Sequence, residues 1–347
     1  MNREGRLSGA DVGAAAIGWP VRAWRSTRAD RAAPRKEQPK VSQQHAVIEV
    51  ELPSGDTVSV IRRRFCGGPG PRVAVVAGIR GDAPEGIRVA HELVTFLNAA
   101  EPRLRGTVDI YPCANPLAAH RGVPRWPFFD SDLNRLFPGD DGGHPPERVA
   151  YALTQDVLGA DQVVEVRGAR AAFSEVPQAH VRPGEAVATE RAMAMNVAVV
   201  WQRTPGPAAP STFAHQFDGA IVLEGGTGNR LTPGVGKDLT DGILNMLATM
   251  GVLAEADLPF HWASLQRPVR VTDEHVARVR SNRGGLFLPA GATWKKVSAG
   301  EELGRVVDPT SGEVREVVES PSAGRLLAIR ELPVVFPGTV VARVVNL

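Results

Sequence analysis

Two adjacent polar residues, Asn134 and Arg135, sit inside the run Asp130-Ser-Asp-Leu-Asn-Arg-Leu-Phe-Pro-Gly139. A planar guanidinium beside an amide grips a carboxylate through paired hydrogen bonds, so this dipeptide is a candidate carboxylate clamp. The same residues also fit a plainer role, with Asp132 and Asn134 as turn formers and Arg135 as a surface ion-pair partner. A second candidate is the loop in Val76-Ala-Gly-Ile-Arg-Gly-Asp-Ala-Pro-Glu-Gly86. The apolar run Val73 to Val76 reads as a buried parallel strand that ends in a Gly-rich turn, with a helix starting near Pro84. Sites in open α/β folds lie at such strand ends. No Gly-x-Ser-x-Gly elbow and no paired Cys/His spacing supplies a nucleophile. Cys66 and Cys113 read as small buried side chains near strand ends, with Cys113, just before Ala114-Asn-Pro116, a remote candidate at the cleft end of its strand.

The elements that must carry these residues follow from periodicity. Val47-Ile-Glu-Val-Glu-Leu52 and Thr57-Val-Ser-Val-Ile61 alternate around Pro53-Ser-Gly-Asp56, which predicts a β-hairpin. Helix 84–99 places Ile87, Ala90, Leu93, Val94 and Leu97 on one face, the spacing of a helix packed on a sheet. Strands are expected at 72–78, 108–112, 162–167, 196–201 and 219–224, and helices at 146–158, 186–194 and 235–250. That alternation predicts an α/β fold with a mixed, mostly parallel sheet flanked by helices. After Pro268 the chain changes to short strands separated by Gly turns, the pattern of a small all-β sandwich or barrel. The expected division is a basic tail over 1–44, an α/β domain over 45–266 and the β domain over 267–347.

The loop at Arg80 resembles the first zinc-binding loop of the succinylglutamate desuccinylase/aspartoacylase family, relatives of the zinc carboxypeptidases, whose pattern is Gly-x-His-Gly-Asp-Glu-x-x-Gly. Arg80 stands at the His position and Ala83 at the Glu position. The family's third ligand comes from Asp-Leu-His at the end of a later strand, and the matching run Val163-Val-Glu-Val-Arg-Gly168 puts Arg167 there. A guanidinium has no lone pair to donate and stays protonated, so the resemblance implies a site without the family's zinc. Asn115-Pro-Leu-Ala118 and Asp132-Leu-Asn-Arg-Leu-Phe-Pro-Gly139 match the family's motifs in order. The resemblance therefore gives Asn134 and Arg135, and with them Arg125, a role in holding a substrate carboxylate. Ile221-Val-Leu-Glu-Gly-Gly226 is similar to the strand end that carries the family's general base, here Glu224, retained as a vestigial acid/base or as an ion-pair partner for Arg80 or Arg167. Val176-Pro-Gln-Ala-His-Val-Arg182 loosely resembles the family's Pro-His-Val-Arg segment. The C-terminal strands resemble the family's β domain, which is similar to biotinyl-lipoyl modules, with no Lys in the hairpin at Ser322-Ala-Gly324. A relocated zinc site at His144-Pro-Pro-Glu147 with His180 or His215 is the less favoured option, because the segment reads better as the first turn of a helix.

Composition adds limits. With 43% apolar residues and a net charge of +2, the 347-residue chain reads as an ordinary soluble protein. No apolar run reaches the ~18 residues that span a bilayer, and a cytoplasmic location is expected. Residues 1–40 carry nine Lys/Arg against four Asp/Glu, leaving 31 against 34 in the remainder. The tail lacks apolar periodicity and reads as disordered, either a solvated leader or a start placed upstream of the true one. Only Trp19 and Trp24 lie near its charges, which argues against nucleic acid.

If Arg80 and Arg167 converge where the family's ligands do, the pocket stays cationic. Two like charges 4 Å apart repel by ~4 kcal/mol at an effective dielectric of 20, so an anion is expected between them. The function expected is that of a zinc-less pseudoenzyme that binds an anionic ligand, the carboxylate of an amino acid, acyl-amino acid or peptide, in an auxiliary, peptide-binding or regulatory role. The alternatives are a metal-independent acyl or amide-bond enzyme using Glu224 with Arg80 and Arg167, or a metallohydrolase with relocated ligands. No cofactor is expected. The partners expected are an anionic small molecule or peptide, with a homo-oligomer or a partner enzyme as further options, and neither nucleic acid nor membrane.

Overall fold

The alternating runs around Pro53-Ser-Gly-Asp56 pair as an antiparallel hairpin of β1 (Ser42–Glu51) and β2 (Thr57–Cys66), with Val50 opposite Val58. The computed structural model describes residues 42–99, 103–260 and 265–347, all within one compact unit. Of the tail expected over 1–44, residues 1–41 lie outside those described, and 42–44 are not tail but the start of β1, paired with β2.

From the hairpin the chain runs through β3 (Gly68–Ala77), α1 (Pro84–Ala99), β4 (Arg105–Tyr111) and α2 (Pro116–Arg121). It continues with α3 (Pro145–Val157), β5 (Gln162–Val166), β6 (Phe173–Val181), α4 (Ala186–Met193), β7 (Val199–Gln202), β8 (Ile221–Thr227) and α5 (Val235–Thr249). Strands β4, β3, β5 and β8 lie side by side and parallel, and β6 runs antiparallel to β8. Residues of β3 are buried on both faces, which is what a parallel strand between two helical layers requires. Val73, Val75 and Ala77 pack with α1 and α5 through Leu93, Leu97, Ile243 and Leu247, whereas Ala74 and Val76 pack with α3 and the 213–217 segment through Val149, Leu153 and Phe213. On α1 it is Val89, rather than Ile87, that joins Ala90, Leu93 and Leu97 in the buried face.

Strand β6 lies outside the strands expected from the sequence, and it carries Pro177, a residue without an N–H to give to a ladder. The structure accommodates it at a register shift between Glu175 and Gln178 against β8.

The last eighty residues form β9 (Val269–Thr272), β10 (Val276–Arg280), β11 (Gly285–Pro289), β12 (Lys296–Val297), β13 (Glu302–Val307), β14 (Val314–Glu319), β15 (Gly324–Arg330), β16 (Val334–Val335) and β17 (Val340–Val345). Strands β11, β13, β14 and β16 make a separate four-stranded antiparallel sheet. The others extend the large sheet, with β15 pairing β6 and β9 pairing β7. This junction carries Arg278 of β10 up to the cleft described below. Among the described residues no helix is long and apolar enough to cross a membrane.

Candidate functional site

The site lies where β3, β5 and β8 present their carboxyl ends, and the first loop is fixed there by packing. Gly78 adopts φ +65°, and a Cβ on Gly81 would stand 2.0 Å from the carbonyl carbon of Ala118, so the loop rests directly on the backbone of α2. The Asn-Pro-x-Ala motif explains that contact. Asn115 caps α2 by accepting from the Ala118 N–H at 3.2 Å, and its amide donates to the Ile79 carbonyl at 3.4 Å. The second motif also folds locally: Asp132 accepts from the Asn134 N–H at 3.0 Å and starts a single 3-10 turn, Leu133–Arg135.

A cleft of about 800 Å³ is lined by Arg80, Ala83, Asn134, Arg135, Arg167, His180 and Glu224, together with arginines 170, 182, 203 and 278. Five of the six residues singled out for the site are thus brought together. Arg125 is not in the lining; it is more than half exposed and pairs with Asp130 at 2.7 Å. His215 lines the cleft but His144 does not, and the Glu147 carboxylate accepts the His144 backbone N–H at 2.8 Å. Burial pushes the Cys113 thiol up to about 11, only partly offset by the Asn115 N–H, and Cys113 lies outside the lining.

The charges are not arranged as the sequence suggested. Arg80 does not share an anion with Arg167; its Nε and Nη2 lie 3.0 and 2.7 Å from the two oxygens of Asp82. Arg167 likewise donates from Nε and Nη2 to both oxygens of Glu165, two residues earlier, with the second contact at 2.6 Å. A carboxylate two residues from each guanidinium neutralises it in place. Asn134 turns its Oδ1 to the Phe213 N–H at 2.9 Å, leaving its amide nitrogen for other partners, and Arg135 donates to the Asn134 carbonyl at 2.6 Å.

Glu224 is buried, and the near cation-forming group is His180, whose Nε2 is 3.4 Å from its Oε1. Burial alone would raise the Glu224 carboxyl, but His180 and the guanidiniums of Arg167, Arg170 and Arg203 outweigh it and hold the group below the usual carboxylate range. His180 is pushed down to about 4, mainly by burial, and is neutral near pH 7.

Three lining arginines had no motif to announce them. Arg170 stands in the turn between β5 and β6, Arg203 directly after β7, and Arg278 in the middle of β10. Among the described residues these three and Arg135 have no carboxylate within ion-pairing distance, unlike Arg80, Arg167 and Arg182. The one signal available was position, an arginine just past an apolar run.

Comparison with known proteins decides the lineage. The family model of the succinylglutamate desuccinylase/aspartoacylase catalytic domain matches residues 69–250, just over half of the chain. The chain belongs to the succinylglutamate desuccinylase/aspartoacylase family. The N-alpha-acetyl-L-2,4-diaminobutyric acid deacetylase of Halomonas elongata is 28% identical over 289 residues, covering 80% of this chain and 81% of that protein. A succinylglutamate desuccinylase/aspartoacylase structure from Rhodobacter sphaeroides superposes with a TM-score of 0.74 at 22% identity, over 90% of this chain and 97% of that one. The product-bound ectoine utilization protein EutE (DoeB) of Ruegeria pomeroyi gives 0.74 at 22% identity, over 87% and 94%. At such identities the two structures speak for the fold.

For a member of this family the fit of a zinc ion is a question of donors. At the three positions that the resemblance aligns with the ligands, this chain presents the guanidiniums of Arg80 and Arg167 and the methyl of Ala83, all on the cleft wall. None offers a lone pair, and both guanidiniums are engaged by carboxylates, so these residues do not fit the ion. Among the described residues no other group of three His, Cys, Asp or Glu side chains is placed to hold a metal.

Proposed function

We propose that this desuccinylase/aspartoacylase-family protein has lost the family's zinc ligands and binds an anionic small molecule or peptide through its arginine-lined cleft, in an auxiliary, peptide-binding or regulatory role. The observation that carries this reading is that four guanidiniums of the lining, those of Arg135, Arg170, Arg203 and Arg278, have no carboxylate partner among the described residues. Cations gathered around one cleft attract a complementary anion and gain from bidentate contact with it. The deacetylase relative is named for an N-acetylated diamino acid, and the α-carboxylate of such a molecule is the kind of group that Arg135 would hold.

The catalytic alternative has less support. Arg80 and Arg167 are taken by Asp82 and Glu165, and Glu224 is held ionised by its surroundings. A carboxylate kept well below its usual range is a weak general base near neutrality.

The test combines two measurements on the purified full chain. Elemental analysis is expected to find no near-stoichiometric zinc after dialysis, and calorimetry with N-acetyl-amino acids is expected to show binding without release of acetate. Tightly held zinc would overturn the zinc-less reading. Acetate release by the metal-free protein would transfer the case to the Glu224 alternative.

A further inference from the structure

We infer that Arg170, Arg203 and Arg278 build a second anion subsite in the cleft, one fitted to a phosphoryl group, so that the ligand carries a phosphoryl group as well as the carboxylate held at Arg135. The inference rests on the ligand-binding reading above and names the chemistry that reading leaves open.

Three independent segments deliver these arginines to one cleft. Arg170 lies in a turn closed by the Phe173 N–H donating to its own carbonyl at 2.8 Å. Arg203 is pinned after β7 by its N–H to the Val181 carbonyl at 2.9 Å, and its guanidinium carbon lies 5.1 Å from the centre of the Trp201 ring. The platform is itself fixed, since the Trp201 indole N–H donates to Asp273 at 3.0 Å. A guanidinium held over an aromatic ring is attracted by the ring's negative face while its N–H groups can still donate to a ligand. Arg278 is the cross-strand partner of Arg343 on β17, so two like charges share one face of the sheet. Arg343 is taken by Glu175, with Nη1 2.6 Å from Oε1, and Arg278 is not.

The mutual effect is visible at Arg203. Its affinity for its proton is lowered by burial, opposed by Glu224, and lowered further by Arg170, Arg343 and Arg278. A cluster with more guanidiniums than carboxylates attracts a further anion.

Shape chooses the anion. Arg203 faces two carboxylates, Glu224 and Asp273, so the three guanidiniums carry an excess of one charge over these two. A carboxylate would match that charge but offers only two acceptor oxygens to three donor forks, whereas a phosphoryl ester offers three and carries about −1.5 to −2 near neutrality. Glu224 adds a second recognition element. Its Oε1 is buried, lines the cleft and has no hydrogen-bond partner, so it is an acceptor for an amine or hydroxyl of the same ligand.

The test is calorimetry on the full chain at fixed low ionic strength, with four probes: inorganic phosphate, O-phospho-L-serine, L-serine and N-acetyl-L-alanine. O-phospho-L-serine is expected to bind at least about tenfold more tightly than L-serine or N-acetyl-L-alanine. Arg203→Gln and Arg278→Gln should each weaken phosphate and O-phospho-L-serine by about tenfold and leave N-acetyl-L-alanine unchanged. Arg135→Gln should weaken N-acetyl-L-alanine and leave inorganic phosphate unchanged. Thermal melts confirm that each variant is folded, and Arg203→Lys and Arg278→Lys serve as charge-retaining companions that recover part of the phosphate affinity.

Phosphate affinity equal in wild type and both Gln variants overturns the subsite while leaving carboxylate binding intact. Phosphate binding that depends on Arg203 and Arg278, with no N-acetyl-L-alanine binding, supports the subsite and overturns the carboxylate reading. Binding of phosphate with no gain for O-phospho-L-serine supports the oxyanion subsite and assigns it to free phosphate rather than to an ester.

Discussion

Arg167 is gripped through both Nε and Nη2 by Glu165, the residue two positions before it at the end of β5, and Glu165 is 1% exposed. The cation that the resemblance aligns with a zinc ligand of the family therefore arrives with its own buried counter-charge. Burial lowers the hold of Arg167 on its proton, yet Glu165, Glu224 and Asp132 together raise it, so the guanidinium stays charged.

Arg167→Met removes one member of that pair and leaves a buried carboxylate without its partner. Such a change destabilises by about 3–5 kcal/mol. The double variant Glu165→Leu/Arg167→Met removes both charges and should recover most of the loss. Urea denaturation of the three proteins measures the cycle; two additive losses would show that the pair is not coupled.

Asn134 and Arg135 are neighbours in sequence but should separate in experiment. Asn134 accepts the buried Phe213 N–H, so Asn134→Ala orphans that donor and should lower stability by about 1–3 kcal/mol. Among the described residues the Arg135 side chain donates to the Asn134 carbonyl alone, and the residue is exposed. Arg135→Ala should leave the melting temperature nearly unchanged and weaken N-acetyl-amino acid binding about tenfold. Equal affinity in wild type and Arg135→Ala would take Arg135 out of the site.

Glu175 gives a pH signature. Burial and the charge of Glu224 raise its carboxyl to about 7, with Arg343 and Arg170 opposing. An unfolded Glu titrates near 4.3, so between those values the folded state binds the extra proton. Stability contributed by that proton is present below about pH 4.3 and is lost as pH rises through about 7. Compared with Glu175→Gln, wild type should therefore lose stability from pH 5 to pH 8. Parallel stability curves for the two proteins across that window would refute the assignment.

Much of the scaffold could be read because its signals are local. Helix α1 begins at Pro84 and ends at Ala99 as its apolar spacing required, and the hairpin follows its alternation around Pro53-Ser-Gly-Asp56. The motif residues Asn115 and Asp132 could be placed as well, because each caps the turn that follows it. What escaped depends on contacts between distant segments. Strand β6 carries Pro177 in its middle and is held by β8 and β15 rather than by its own pattern. The lining arginines 170, 203 and 278 come from three segments with no common motif, and the pairing of Arg80 with Asp82 hides within a two-residue step. Electrostatic partners are chosen by tertiary geometry, and spacing along the chain does not reveal them.

Asp109, in the middle of β4, ties three strands together and offers the sharpest stability test. It is fully buried, and Arg64 of β2 donates to both its oxygens at 2.6 and 2.7 Å while Arg72 of β3 donates at 2.8 Å. Burial would raise its carboxyl, and the two guanidiniums more than reverse that, so the group stays ionised below its ordinary value. Its contribution is complete above an unfolded Asp value of about 3.9 and fades only as pH falls through the depressed folded value. Asp109→Asn keeps the shape and removes the charge that Arg64 and Arg72 share. The loss should be about 3–5 kcal/mol at pH 7, and it should shrink as pH falls below about 4, where the unfolded wild-type Asp takes up its proton. Added salt should not abolish it, since a buried pair is screened much less than a surface one. A loss under about 1 kcal/mol would place this cluster with ordinary surface ion pairs.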